Sequence, residues 1–277
     1  MIDGKTKLIA HLGYPTESFK APMIYNPYFA KHGINAVVVP MGSKPEDFPD
    51  FLKLLFRLSN IHGALITMPH KVTIVSLLDE ASVSVKVAGS CNAVRIEAGG
   101  KLVGDMFDGE GFVRGVLRKG RKIANARVLV SGNGGVGSAI AASFAKAGVA
   151  ELALFDAFAP AMNGLAERLG ANYPKLKVTV GSNDPAGYDV VVNATPLGMK
   201  PDDPLPMDVT RIAPSTFVGE VVMKSEMTPF LATARERGCQ YQVGTDMLFE
   251  QIPAYLEFFG FRTTTPEELR SVAQISY

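Results

Sequence analysis

Residues Gly132, Asn133, Gly134, Gly135, Val136 and Gly137 stand between the apolar run Arg127-Val-Leu-Val-Ser131 and the alanine-rich run Ser138 to Ala147. Strand, glycine turn and helix in immediate succession form a seat for a diphosphate. The N–H groups at a helix N-terminus bind phosphate only where no Cβ blocks the approach. Gly132 is expected to make the tight turn, Gly134 to admit the pyrophosphate, and Gly137 to let helix and strand pack closely. Asp156 follows the next apolar run, Leu152-Ala-Leu-Phe155, at the spacing where a carboxylate accepts the adenosine ribose hydroxyls. The same carboxylate repels a 2′-phosphate. No Arg or Lys lies between Asp156 and Glu167, and Arg168 is far into the following helix, so NAD is favoured and NADP remains possible.

A dinucleotide seat predicts a redox partner. Hydride loss from an alcohol carbon requires a group to take the hydroxyl proton. Lys71 closes Thr67-Met-Pro-His-Lys71, directly after the apolar run Gly63 to Thr67, and so stands at a strand's C-terminal end, where ligands of α/β sheets gather. Asp108 lies in the acidic, glycine-rich stretch Gly104-Asp-Met-Phe-Asp-Gly-Glu-Gly111. A carboxylate beside Lys71 orients the ammonium through a charge-assisted hydrogen bond. Lys71 and Asp108 are the candidate catalytic pair.

Alternating apolar strands and helical segments must position these groups. Strands are expected at 7–10, 36–39 and 63–67, with helices at 22–32 and 45–60 between them, and a hairpin over 92–104. A helix over 109–121 leads into a second series, with strands at 128–130, 152–155, 178–180, 190–193, 217–222 and 241–243. Helices are expected at 229–237, ended by Gly238, and at 245–259. The pattern predicts an α/β protein of two lobes, an N-terminal α/β lobe and a Rossmann-like dinucleotide-binding lobe, with a cleft between them. Their expected bounds are 1–106, completed by 245–277, and 107–244.

Composition narrows the partners. The 277 residues carry a net charge of +1, with no basic excess for nucleic acid. No stretch approaches the about 18 apolar residues of a membrane span, and no long apolar signal region opens the sequence, so a cytoplasmic protein without membrane partners is expected. Cys91 and Cys239 are expected as buried thiols. Neither these cysteines nor His11, His32, His62 and His70 fall in a metal-ligand spacing, and no metal is predicted. A monomer or homodimer is expected.

Taken together, Gly13-Tyr-Pro15 with Pro22, Thr67-Met-Pro-His-Lys71, Gly89-Ser-Cys-Asn92, Asp108-Gly-Glu-Gly111, Gly132-Asn-Gly-Gly135, Asn193-Ala-Thr-Pro-Leu-Gly-Met199, Thr228-Pro-Phe-Leu231 and Gly244-Thr-Asp-Met-Leu248 with Gln251 give the chain its resemblance to the shikimate and quinate dehydrogenase family, across nearly its whole length. The resemblance implies NAD(P)-dependent oxidation of a ring hydroxyl of shikimate or a related ring acid, with Lys71 and Asp108 catalytic. It implies that Thr67, Asn92 and Gln251 hold substrate hydroxyls. Asn193, Ala194 and Thr195 would line the nicotinamide side, with Met199 and Gly244 nearby, and the final helices would return to the first lobe.

Departures from the family pattern bear on the substrate. Two serines that grip the carboxylate in the family fall on Phe19 and Ala21 here, leaving Ser18 or Lys20 to supply that contact. Leu65, Met223 and Met106-Phe107 also replace polar residues of the family. Hydrogen bonds to charged groups are worth about 1.5–3 kcal/mol each, so the change points to altered substrate affinity. The alternatives are a dehydrogenase for quinate or another ring acid, and a dinucleotide-binding metabolite sensor without turnover. Retention of Lys71 and Asp108 argues against a sensor.

Overall fold

The computed structural model describes residues 2–17, 19–200 and 202–275, which form two compact units. The first comprises Met1–Val85, Ser90–Phe107 and Ile252–Tyr277; the second comprises Lys86–Gly89 and Asp108–Gln251.

In the first unit, β1 (Lys7–Gly13), α1 (Pro22–Lys31), β2 (Ala36–Gly42), α2 (Phe48–Leu55) and β3 (Ile61–Ile66) build a parallel β2-β1-β3 core. Burial on both faces explains why β1 reads as an unbroken apolar run rather than an alternating one. Pro22 opens α1, and Ile24, Tyr25, Tyr28 and Phe29 are buried along it. After β3 come a 3-10 turn, Thr73–Leu77, the two-residue β4 (Glu80–Ala81) and α3 (Val83–Ala88), whose last residues belong to the second unit. Strands β5 (Ala93–Ile96) and β6 (Leu102–Asp105) form the expected antiparallel hairpin, giving the order β2-β1-β3-β5-β6-β4.

The second unit opens with α4 (Asp108–Arg118) and continues through β7 (Arg127–Ser131), α5 (Gly135–Lys146), β8 (Glu151–Phe155), α6 (Ala159–Asn172) and β9 (Lys177–Val180). It closes with β10 (Val190–Asn193), β11 (Phe217–Glu220), α7 (Pro229–Glu236), β12 (Tyr241–Gln242) and the start of α8 (Gly244–Phe258). All six strands are parallel, in the order β12-β11-β10-β7-β8-β9. The chain winds outward from β7 in one direction and from β10 in the other, a Rossmann-like arrangement whose switch point lies between those strands. Phe112, Val128, Val130, Ile140, Phe144, Leu152 and Leu154 fill one face; Leu129, Val191, Val218, Phe230 and Leu231 fill the other.

Several expected bounds are corrected. The helix expected over 45–60 is only Phe48–Leu55, because Pro49, which has no N–H, sits in its first turn, and residues 57 and 58 close by i to i+3 bonds. Strand β11 ends at Glu220, opposite the end of β10, and β12 stops at Gln242 as the chain turns into α8. Residues 86–89 lie in the second unit, where Arg168 Nε donates to Val87 O at 2.7 Å. Helix α8 is divided: only Ile252 onward counts with the first unit, not everything from 245. Its first half is held by ion pairs of Arg118 with Glu250 and Lys119 with Asp246, and by Gly111, where a Cβ would stand 2.6 Å from Met247 O. Its second half is held to the first unit by Arg95 Nη1, which donates to Phe258 O at 2.7 Å. Helix α9 (Pro266–Val272), capped by Thr265, packs on α1 and was not anticipated.

Helices α4 and α5 approach each other tightly at Gly109, where an added Cβ would run into the backbone of Ala139. Gly109→Ala is expected to lose about 3 kcal/mol, the upper end for overpacking, as read by urea denaturation. An unchanged midpoint would show that these helices have room to part.

Candidate active site

The second unit gathers one set of candidate residues at the C-terminal ends of β7, β8 and β10. Gly132 turns the chain out of β7 at φ +92°, which only glycine adopts without strain. A Cβ there would lie 2.6 Å from the Ala194 carbonyl carbon, so the glycine turn and the Asn193–Thr195 segment lie against one another. Gly137, in the first turn of α5, packs so closely on Gly132 O that any side chain would collide with it. Gly134 is the N-cap of α5, is exposed, and has open space where a Cβ would project. No side chain caps this helix. Gly135 and Val136 continue into α5, and Asn133 is buried beneath the turn. These features fit a diphosphate: an uncapped helix start reached across backbone alone.

Asp156 lies just past β8. Its Oδ2 accepts the Asn133 N–H at 2.5 Å and its Oδ1 accepts the Phe158 N–H at 2.8 Å. The carboxylate thus braces the glycine turn, and two oxygens with about four lone-pair sites retain capacity for a ribose hydroxyl. Arg168 is engaged elsewhere, with its guanidinium 3.5 Å from the Cβ position of Gly89. Asn193 Oδ1 accepts from Thr195 N and Oγ1 at 3.1 and 2.6 Å, while its Nδ2 donates to Leu197 O at 2.9 Å. Met199 is exposed beyond this turn, and Gly244 starts α8 tight against the Val222 backbone. Asp108, the first residue of α4, is buried, and so is Gln251, whose Oε1 finds no hydrogen-bond partner. Gln251 lies beside Gly111, whose Cβ would stand 2.7 Å from the glutamine Cβ.

In the first unit, Thr67, Lys71 and Asn92 are brought together beyond β3. Thr67 N donates to Leu12 O at 2.8 Å, Ile66 N to Asn92 O at 2.8 Å, and Cys91 N to Lys71 O at 2.8 Å. Asn92 is buried, with Oδ1 accepting the Phe107 N–H at 2.9 Å. Burial pushes the Cys91 thiol up to about 12, so it packs as an inert group; Cys239 is also buried and free. Ser18 lies outside the described residues. Lys20 is half-buried beside Phe19.

A feature not anticipated from the sequence lies here. Phe19 stacks on His11 with ring centroids 4.1 Å apart, and its Cζ is 2.8 Å from where a Gly13 Cβ would stand. His11 is buried and its Nδ1 has no hydrogen-bond partner. Burial and, secondarily, the nearby Lys71 charge hold the imidazole down at about 3. Leu65 is buried in β3, and Phe107 packs edge-on against Tyr255 and Phe258, so these apolar replacements serve packing. Sequence pattern reveals none of these pairings, because His11 and Phe19 meet only when β1 and the following loop fold. Among the described residues no group of three His, Cys, Asp or Glu side chains is placed to hold a metal, and no helix is long and apolar enough to cross a membrane.

A parallel doubly wound unit with a glycine-turn helix start, joined to an α/β unit carrying a strand-end lysine, defines a class of two-unit α/β proteins. The chain belongs to the shikimate dehydrogenase family. Residues 12–94 match the shikimate dehydrogenase substrate binding domain. Shikimate dehydrogenase (NADP(+)) of Rubrobacter xylanophilus is 34% identical over 254 residues, 90% of this chain and 89% of the relative. The structure of shikimate 5-dehydrogenase from Listeria monocytogenes in complex with shikimate and NAD superposes with a TM-score of 0.90, at 26% identity, covering 98% of this chain and 97% of that one. Quinate dehydrogenase from Corynebacterium glutamicum in complex with NAD gives a TM-score of 0.87 at 27% identity, covering 96% and 98%.

The depressed His11 value has a consequence for stability. The unfolded imidazole, near 6.5, takes up a proton as pH falls while the folded one does not, so the stability it confers is present above 6.5 and is lost on going towards 3. Between pH 7 and 4.5 the wild type is expected to lose roughly 2–3 kcal/mol more than His11→Leu, measured by urea denaturation at both pH values. Equal losses would mean that the folded imidazole is protonated.

Proposed function

We propose that this chain is an NAD(P)-dependent dehydrogenase that reversibly oxidises a ring hydroxyl of shikimate or a shikimate-like acid. The observation that carries this reading is Lys71, held by its own carbonyl to the Gly89–Asn92 segment just beyond β3, in a chain whose second unit fits a dinucleotide. Lys71 Nζ takes the hydroxyl proton as the carbon–oxygen bond becomes a carbonyl. Asp108 is assigned the positioning of the lysine and the hydroxyl. Bound oxidised dinucleotide supplies the acceptor for the hydride that leaves the same carbon. Gly132 to Gly137 would hold the diphosphate, Asp156 the adenosine ribose, and Asn193, Ala194, Thr195, Met199 and Gly244 the nicotinamide end. Thr67, Asn92 and Gln251 would hold substrate hydroxyls, with Lys20 at the carboxylate. The unpartnered Oε1 of Gln251 supports its role, since a buried acceptor without a donor is left for a ligand to satisfy.

Two finer points belong to the same reading. NAD is favoured over NADP: Asp156 repels a 2′-phosphate, and Arg168, the first basic residue after it, is engaged with Val87 O instead. The Rubrobacter relative is named for NADP(+), while the Listeria and Corynebacterium structures hold NAD. As to substrate, quinate or another ring acid is the second reading, favoured by the Phe19 ring against His11 where the family resemblance calls for a hydroxyl donor.

Lys71→Ala is expected to lower kcat by about 10²–10⁴-fold, the usual worth of a positioned general base, while leaving the dinucleotide Kd within twofold. A variant that keeps most of its turnover would remove Lys71 from the mechanism. With shikimate and quinate as substrates, kcat/KM is expected to be at least about tenfold higher with NAD than with NADP, a difference near 1.4 kcal/mol. A preference for NADP would show that another cation reaches the 2′-phosphate despite Asp156.

A further inference from the structure

Glu220 is a buried ionisable group that the reaction above does not use. It ends β11, is wholly buried, and one of its oxygens, Oε1, finds no hydrogen-bond partner. The other, Oε2, lies 3.5 Å from Asn193 Nδ2, and the Thr228 hydroxyl is near enough to favour the ionised carboxyl. Strand register sets Ser131, Asn193 and Glu220 side by side at the C-terminal ends of β7, β10 and β11. Around the Glu220 carboxyl the neighbouring elements supply the polar residues Ser131 of β7, Asn193 of β10, Gln242 of β12 and Thr228 at the N-cap of α7; the ionisable residues on those elements are Arg127 at the far end of β7, the half-buried Tyr241 of β12, and Arg235 and Glu236 of α7, which are exposed. The charged residues nearest along the chain, Lys224 and Glu226, are exposed.

Both residues beside the Glu220 carboxyl also contact the turn that follows β10. Asn193 fixes Thr195 and Leu197 through three hydrogen bonds, and Leu197 N in turn donates to Thr195 Oγ1 at 3.1 Å. Thr228 packs beside Gly198, whose Cβ would stand 3.7 Å from the threonine Cβ. Ala194, at the head of the turn, lies against Gly132 and Gly137. Glu220 therefore anchors the 194–199 turn from below, while the turn meets the glycine seat from the side.

We propose that Glu220 is a positioning residue: as the neutral acid it locks the 194–199 turn into the shape of the dinucleotide seat, and on ionising it releases that turn. This rests on the reading of residues 132–137 and 193–199 as one dinucleotide site. An unpaired carbonyl-like oxygen is tolerable in a buried site, whereas an unpaired carboxylate oxygen is far more costly. Burial accordingly pushes the carboxyl up to about 7, against the opposing pull of Thr228 and Asn193. A carboxyl raised in this way confers stability that is fully present below its ordinary value near 4.5 and is lost as pH rises through 7. Local opening that lets water reach Oε1 relieves the cost, so the opened turn gains population as pH rises.

The test is amide hydrogen exchange at Thr195 and Leu197 in the cofactor-free protein, from pH 6 to 8.5, with wild type and Glu220→Gln compared at each pH. The glutamine keeps the shape and cannot ionise. Between pH 6 and pH 8.5 the wild type is expected to lose about tenfold more protection than the variant. NADH Kd should rise several-fold over the same range in the wild type and stay flat in the variant. Parallel exchange profiles would overturn the proposal. If Glu220→Gln fails to fold, the ¹³C carboxyl titration of Glu220 in the wild type decides: a midpoint near 7 that coincides with the loss of Thr195 and Leu197 protection supports it, and one near 4.5 overturns it. Failure to bind NADH at any pH would count against the dinucleotide reading, while the exchange comparison still judges Glu220.

Discussion

The second unit depends on how closely three pieces of backbone approach one another where β7 and β10 part. Parallel strands that wind away in opposite directions leave an opening at their C-terminal ends. In this chain Gly132, Gly137 and Ala194 close on that opening with no side chain between Gly137 and Gly132 O. Everything assigned to the dinucleotide follows from this contact. It sets where α5 begins, fixes the position of Asp156 through the Asn133 N–H, and supports the turn that Asn193 holds.

The first unit solves a different problem: it presents polar groups at the ends of strands that are themselves apolar. It does so by bonding loops to loops. The Gly89–Asn92 segment bonds Lys71 and Ile66 through backbone groups, and Asn92 receives the Phe107 N–H. The loop that carries Thr67 and Lys71 is thus tied to its neighbours through the backbone groups of both residues. The Phe19 and His11 stack lies next to this frame and converts one polar corner into an aromatic one.

Much of this was legible in the sequence wherever one local rule governs. The six parallel strands, the glycine turn and the helix ended by Gly238 follow from apolar runs and punctuation by glycine and proline. Helix α2 was overestimated because Phe51 and Leu58 have helical spacing, yet Leu58 is exposed and the chain has already left the helix. The partition of α8 was not legible, since it depends on ion pairs with Arg118 and Lys119, more than 120 positions earlier. Glu220 was missed for a related reason. A glutamate ending an apolar strand reads as a solvent-facing residue until the neighbouring strands are known to bury it.

The small contact between Arg168 and Val87 O bears on the order in which the molecule is made. Because residues 86–89 belong to the second unit, the chain passes between units four times, after Val85, Gly89, Phe107 and Gln251. Neither unit is a continuous piece of polypeptide. During synthesis the second unit has all its residues once Gln251 has emerged, whereas the first must wait for Ile252 onward to supply Phe258, Phe259 and α9. The half that carries Lys71 therefore emerges first from the ribosome and is the last to be finished.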